Sequence, residues 1–174
     1  MKIMIISDIH GDINALNHII NILENESIDK LICLGDFCSY YDDSLDIANR
    51  LNSIKDKLIC VRGNCDTEVF VNTLQADLPI YNNIMINNHP ITITHGHIYN
   101  PHYLPKKHGN IIISGHTHRK EIKYNNGLLI LNPGSISRPR DGIASYILIN
   151  NNNIYLKDIN DNIIDSCNLD EKIV

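Results

Sequence analysis

Residues 2–12 read KIMIISDIHGD: a short apolar run that breaks into two acids, a histidine and a glycine. A half-exposed strand would alternate apolar with polar residues. A run this short and this evenly apolar suits a strand covered on both faces. The pattern recurs in KLICL before GDF (30–37), KLICV before RGNCD (57–66), ITIT before HGH (91–97) and NIIIS before GHTH (110–118). Between the first three runs lie helical patterns. Residues 13–26 place Leu16, Ile19, Ile20 and Leu23 on one face, with Asp12 as N-cap. Residues 43–54 do the same with Leu45, Ala48, Leu51 and Ile54. The opening is therefore β-α-β-α-β, which predicts a parallel sheet with right-handed crossovers.

After about residue 78 the pattern changes. DLPIYNNIMINNHPITITHG, EIKYNNGLLILNPG and ASYILINNNNIYLKDI alternate strands with Asn and Pro turns, the last two as hairpins around NNG and NNNN. These later strands predict a second, more antiparallel sheet in an α/β layered protein. The closing stretch around DSCNLDEKIV predicts no element. With 174 residues, no internal repeat and no linker, residues 1–174 are expected to form one domain.

Composition excludes several classes. The chain is 43% hydrophobic and 20% charged, as soluble globular proteins are, and no apolar stretch approaches the roughly 20 residues of a membrane span. The start turns polar too early for a signal peptide. Five cysteines without a C-x-x-C pair suit a reduced, cytoplasmic setting. A net charge of -5 and no Lys/Arg run argue against an extended nucleic-acid surface. A phosphate-bearing substrate stays open, because bound metal supplies positive charge locally.

In open α/β sheets ligands bind beyond the carboxyl ends of the strands. Those ends collect Asp8, His10, Asp36, Asn64, His95, His116 and His118, with His97 beside them. Carboxylates and imidazoles are ligands for Mn²⁺, Fe²⁺, Zn²⁺ and Co²⁺. So many donors exceed one ion and suit two ions sharing a carboxylate, the common design for hydrolysing phosphate esters. The scarcity of cysteine in the set argues against a structural zinc site. Gly11, Gly35, Gly63, Gly96 and Gly115 each adjoin one of these donors, where the backbone has to turn sharply off a strand.

The order D-x-H, G-D, G-N-x-D, H-G, G-H-x-H resembles the calcineurin-like metallophosphoesterase superfamily. SDIHGD, VRGNCD, ITHGH, SGHTH and LNPGS are most similar to its small YfcE-type phosphodiesterases, over about residues 7–135. The resemblance implies a four-layer sandwich of two mixed β-sheets flanked by helices. It implies that Asp8, His10 and His118 hold one ion, that Asn64, His95 and His116 hold another, and that Asp36 bridges them. The implied cofactor is a pair of divalent ions, Mn²⁺ first, with Fe²⁺, Zn²⁺, Co²⁺ or Ni²⁺ as alternatives. The implied reaction is attack of a metal-bridging hydroxide on a small phosphodiester. Dimers are common among relatives, which leaves a homodimer or higher homo-oligomer open for this chain.

Two positions depart from the wider superfamily. Many members carry histidine where this chain, as is usual in the YfcE-type branch, has Cys65, so leaving-group protonation falls to Cys65, His97 or solvent. Asp12 stands where relatives have Asn and is read as the helix cap. The turn-rich NPGSISRPR (132–140) offers Ser135, Arg138 or Arg140 as phosphate contacts, and YYDDS (40–44) is a loop and helix start in which a tyrosine could face substrate. His18, His89, His102 and His108 are read as structural or exposed, Cys33 and Cys60 as core. The rivals are a partner-binding scaffold, as in the retromer subunit of this fold, and a phosphomonoesterase or phosphoprotein phosphatase. The complete donor set weighs against the first, and Cys65 and the short chain against the second.

Overall fold

The computed structural model describes residues 1–170, so the last four residues of the expected domain lie outside the described residues. The parallel opening is β1 (Lys2–Ile6), α1 (Ile13–Asn25), β2 (Lys30–Cys33), α2 (Leu45–Asn52), β3 (Leu58–Cys60) and α3 (Glu68–Thr73). It is followed by β4 (Tyr81–Ile86), β5 (His89–Thr94), β6 (Ile111–Ser114), β7 (Lys120–Asn125) and β8 (Leu128–Pro133). The chain closes with β9 (Ser145–Asn150), β10 (Asn153–Asp158) and β11 (Ile163–Asn168). These strands make a six-stranded sheet, β11-β10-β9-β1-β2-β3, and a five-stranded sheet, β4-β5-β6-β8-β7.

The doubly apolar strands have the predicted reason. On β1, Ile3 and Ile5 point into the layer between the sheets, while Met4 and Ile6 point toward the helices. The facing strands supply Ile91, Ile93, Ile111, Ile113, Leu129 and Leu131 to the inter-sheet layer. Helix α1 buries Leu16, Ile19, Ile20 and Leu23, and Asp12 caps it by accepting from the Ala15 N–H at 2.9 Å. Cys33 and Cys60 sit in register on adjacent strands and are buried, as expected.

Two mixed sheets flanked by helices are present, but the layers are unequal. Among the described residues the three α-helices pack on the first sheet. The outer face of the second is covered by the β5–β6 connection, residues 95–110, which contains no helix. Thr92 and Thr94, which point outward from β5, anchor it: Thr92 Oγ1 accepts from the Gly109 N–H, and Thr94 Oγ1 donates to the Tyr99 carbonyl.

Three expectations need correction. The hairpin β9–β10 belongs to the first sheet, not the second: β9 lies antiparallel to β1 with Ile3 opposite Ile149 and Ile5 opposite Ile147. There Ile147 and Ile149 fill the same inter-sheet layer as β1. The second sheet is parallel at its centre, β5-β6-β8, and antiparallel only at its edges, because the long 95–110 crossover returns the chain in the same direction. An element also exists where none was expected. Exposed β11 pairs with β10 across a bulge at Leu156/Lys157, and its burial pattern lacks the alternation that would have marked it. Helix α3 was also unread; Thr67 caps it and Phe70 stacks on Phe37 with ring centroids 5.0 Å apart.

The Asn-rich turns behave as read. Asn87 and Asn88, and Asn126 and Gly127, hold the paired positive φ values of two-residue hairpin turns. Ile113, fully buried between the sheets on central β6, tests the core: Ile113→Ala is expected to lose about 2–5 kcal/mol of stability in urea denaturation.

Candidate metal centre

The parallel strands of both sheets end on the same side, and the loops that leave them interlock. The Asp8 N–H donates to the Gly35 carbonyl, His10 to that of Asp36, and Gly115 to that of His95. The His116 N–H donates to Asp8 Oδ2 at 3.0 Å, tying the SGHTH loop of one sheet to the β1 end of the other. Gly115 makes that approach possible, since a Cβ there would collide with Ser7 and Asp8. Gly63 plays the same part against Asp36.

Asp8, His10, Asp36, His116 and His118 all have φ between 46° and 68°. This left-handed region costs a non-glycine residue about 1–2 kcal/mol. Finding it at so many neighbouring polar residues marks a site that the surrounding fold holds against strain.

The side chains converge in two sets. Asp8, His10 and His118 have ligand atoms within 4.8 Å of one another, and so do Asp36, His95 and His116. The sets meet at Asp36, whose Oδ2 lies 3.7 Å from His10 Nε2 and whose Oδ1 lies 3.4 Å from His95 Nε2. Asn64 Oδ1 lies 3.2 Å from His95 Nε2 and joins the second set.

Ring orientation is fixed from behind. His95 Nδ1 donates to the Leu34 carbonyl at 2.7 Å, and His118 Nδ1 to that of Arg138 at 2.8 Å. In the neutral imidazoles this leaves both Nε2 lone pairs facing inward, the arrangement that metal-ligating histidines use. His118 Nε2 then confronts His10 Nε2 at 3.1 Å and Asp8 Oδ1 at 3.3 Å. Asp8 Oδ1 is fully buried and has no hydrogen-bond partner among the described residues. Lone pairs gathered this closely out of water are satisfied by a cation between them. The donor set, carboxylate and imidazole without thiolate, fits a hard-to-borderline divalent ion.

The electrostatics agree. Burial opposes ionisation of Asp36, but the bonds to His95 and the Cys65 N–H outweigh it and hold the carboxyl well below its usual range. His118 is raised, chiefly by Asp8; His95 is raised by Asp36 despite burial. Burial lowers His10 and His116.

The calcineurin-like phosphoesterase superfamily domain matches residues 1–153. The chain belongs to the calcineurin-like phosphoesterase superfamily. It is thus a phosphoesterase, a hydrolase of phosphoester bonds in a family that uses divalent metal. Phosphodiesterase YfcE of Escherichia coli K12 is 31% identical, covering 92% of this chain and 94% of its own. Phosphodiesterase MJ0936 of Methanocaldococcus jannaschii is 25% identical over 83% of this chain and 90% of its own. The solved structure of the E. coli YfcE phosphoesterase aligns with a TM-score of 0.89 at 29% identity, covering 98% of this chain and all of that one. No helix among the described residues is long and apolar enough to cross a membrane.

Other expected residues of this phosphoesterase fall in different places. Cys65 Sγ reaches His10 and Asp36, and burial together with the Asp36 charge pushes its thiol up to about 12. His97 stands beside the second set, its ring centroid 5.3 Å from that of His95 and 6.4 Å from that of His116, and lines a cavity with His116 and Asn100; burial lowers it. Arg138 is exposed at the rim with its guanidinium carbon 5.9 Å from the Tyr40 ring centroid, and Tyr40 stacks on His10. Arg140 is also exposed, and its N–H donates to the His118 carbonyl. Ser135 is not available to a substrate: it is fully buried, and its hydroxyl donates to the Asp8 carbonyl while accepting from the Ser137 and Arg138 N–H groups. His18, His89 and His108 bond to Ile159, Asp170 and Gly109, outside the two ligand sets.

Two positioning residues were missed. Asp66, the last letter of GNCD, is buried and accepts from the N–H groups of Asp36, Phe37, Cys38 and Gly63. Asn132, in LNPGS, donates to the Gly115 carbonyl and to Thr117 Oγ1, holding the SGHTH turn. Both letters stood in the quoted motifs, which was the signal.

Asp66→Ala strands buried donors on two loops at once and is expected to cost on the order of 3 kcal/mol or more in urea denaturation, Asp66→Asn less. Metal binding needs neutral imidazoles. The raised pKa values of His95 and His118 mean that protons compete there first as pH falls, already above the ordinary histidine value near 6.5. Mn²⁺ affinity measured by titration should therefore fall steeply from about pH 8 to pH 5. A flat affinity across that range would contradict the assignment of these rings.

Proposed function

We propose that the chain, as one domain over residues 1–174, is a cytoplasmic dinuclear-metal phosphodiesterase acting on small phosphodiesters. One observation carries the reading: Asp36 Oδ2 faces His10 of the first set while its Oδ1 faces His95 of the second, a position from which one carboxylate can serve two ions. Asp8, His10 and His118 would hold one ion with Asp36; Asn64, His95 and His116 would hold the other. Two divalent ions held there, Mn²⁺ first, would supply a hydroxide nucleophile from water and positive charge for the phosphoryl oxygens.

The chain's own residues do the rest. His95 and His118 keep their protons on backbone carbonyls and their lone pairs turned inward. Arg138 and Arg140 place cations at the rim for the phosphate. Burial keeps the Cys65 thiol protonated near pH 7, so it does not serve as a nucleophile, and protonation of the leaving oxygen falls to Cys65, His97 or solvent. Cys65 Sγ lies within 4.8 Å of ligand atoms of His10 and Asp36, and the His97 ring lies beside those of His95 and His116. Diester preference has two supports. The relatives YfcE and MJ0936 are named phosphodiesterases. Two cavities also adjoin the second ligand set, one at Asn64 and Cys65 and one at His116, room for two organic groups on one phosphorus.

The test is hydrolysis of bis-p-nitrophenyl phosphate and p-nitrophenyl phosphate by metal-stripped protein, with and without Mn²⁺. Mn²⁺ should restore cleavage, faster on the diester, and His116→Ala should lower it by at least about 100-fold. Folded protein inactive with every divalent metal would be a scaffold. Faster monoester cleavage would make it a phosphatase.

A further inference from the structure

Under the 95–110 connection, on the outer face of the second sheet, lies a cavity whose polar groups hold nothing else in place. It encloses about 420 Å³, a volume within the range of small-ligand sites, and it reaches His116 of the second ligand set. Ser114, at the end of β6, and Ile130, on β8, form its floor, each only 5% exposed. Edge strand β7 adds Glu121, Lys123 and Asn125, which alternate with inward-packed Ile122 and so share the outer face, Lys123 directly opposite Ile130.

Ser114 points to a ligand. It is buried and lines the cavity, yet its hydroxyl makes no hydrogen bond among the described residues. Burying a hydroxyl without a partner is unfavourable, and a polar group entering the cavity supplies one. The Glu121 carboxylate, the Lys123 ammonium and the Asn125 amide also make no hydrogen bond or ion pair among the described residues, not even with one another. Glu121 and Lys123 carry opposite charge, so the rim favours neither an anion nor a cation. A hydroxyl both donates and accepts, so a run of hydroxyls matches serine, carboxylate, ammonium and amide in turn. The lining contains no Phe, Tyr or Trp, the side chains on which nucleobases stack.

We propose that this cavity is a subsite for an uncharged, sugar-sized polyol, so that the preferred substrates are phosphodiesters in which one ester group is a polyhydroxy alcohol. This rests on the phosphodiesterase reading above and names the substrate class of that site. Hydrolysis forms one P–O bond from water, breaks one ester P–O bond and delivers a hydrogen of that water to the departing alcohol oxygen. The subsite selects which diester is held and leaves those steps unchanged.

The experiment compares kcat and KM of the Mn²⁺-loaded full chain on the p-nitrophenyl esters of glucose 6-phosphate, thymidine 5′-phosphate and methyl phosphate. The proteins are wild type, Ser114→Ala and a Glu121→Gln/Lys123→Met rim variant. Wild type should favour the glucose diester over the methyl diester at least about fivefold in kcat/KM. Each variant should reduce that preference at least about threefold, through KM, and cleave the methyl diester as before. The rim variant, on an exposed edge strand, decides the matter if the serine variant does not fold. A preference that the variants leave unchanged, no wild-type preference, or a preference for the thymidine diester over the glucose diester overturns the subsite. Calorimetric titration of the same metal-loaded proteins with glucose 6-phosphate and methyl phosphate separates the two readings. If no diester is cleaved but glucose 6-phosphate binds at least about fivefold tighter than methyl phosphate in wild type and not in the rim variant, the subsite stands and the diesterase reading falls. Equal binding of the two overturns the subsite whatever the activity.

Discussion

Crowded lone pairs are the constraint around which the rest of the molecule is arranged. Asp8 Oδ1, His10 Nε2, His118 Nε2 and Asp36 Oδ2 face one another where water and hydrogen-bond donors are scarce. Without a cation such a cluster repels itself, so the chain must hold it by force from behind. The holding is done by backbone and buried side chains: the Leu34 and Arg138 carbonyls orient two imidazoles, and Asp66 grips the loops that carry Asp36 and Asn64. The left-handed residues are the visible trace of that force. Two covered sheets make it sustainable, because loops anchored on rigid strand ends cannot relax without disturbing the core beneath.

The centre was legible because its chemistry restricts residue type. Only a few side chains ligate divalent metal, and they stand at the ends of apolar runs that mark themselves as buried strands. Asp12 as cap, Cys33 and Cys60 as core and the Asn-rich turns were legible for the same reason, since each rests on a local rule. Features that rest on distant partners were not. Nothing local in SYILIN says that it pairs with β1 and not with β8; the choice depends on which sheet still has an open edge beside Ile3 and Ile5. Helix α3, at Glu68–Thr73, is too short to show a period.

Side-chain roles divided along the same line. Ser135 looked like a phosphate contact because a hydroxyl in a turn near a metal site is chemically suited to one. Its burial against the Asp8 carbonyl is set by packing that the sequence does not display. Asp66 looked like one more acid of a motif. Its partners are backbone N–H groups, which every residue has and no sequence marks. The exposed loop at Tyr40 is the opposite case: the letters YYDDS are conspicuous, and only its position beside Asn64 and Cys65 gives them meaning.

The antiparallel seam between β1 and β9 bears on how the chain comes into being. Ile3 and Ile149 are neighbours in the sheet and near-opposite ends in sequence. As the polypeptide emerges during synthesis, its first strand can dock with β2 and β3 early, but its other edge stays open until the hairpin of β9 and β10 has been made. Contacts of such long sequence separation form slowly, and an unpaired apolar edge is exposed meanwhile. His116 and His118 also arrive late, well after Asp8 and His10. The metal centre therefore cannot form until residues 116–118 have been made, and the open edge of β1 persists beyond that point until β9 is available.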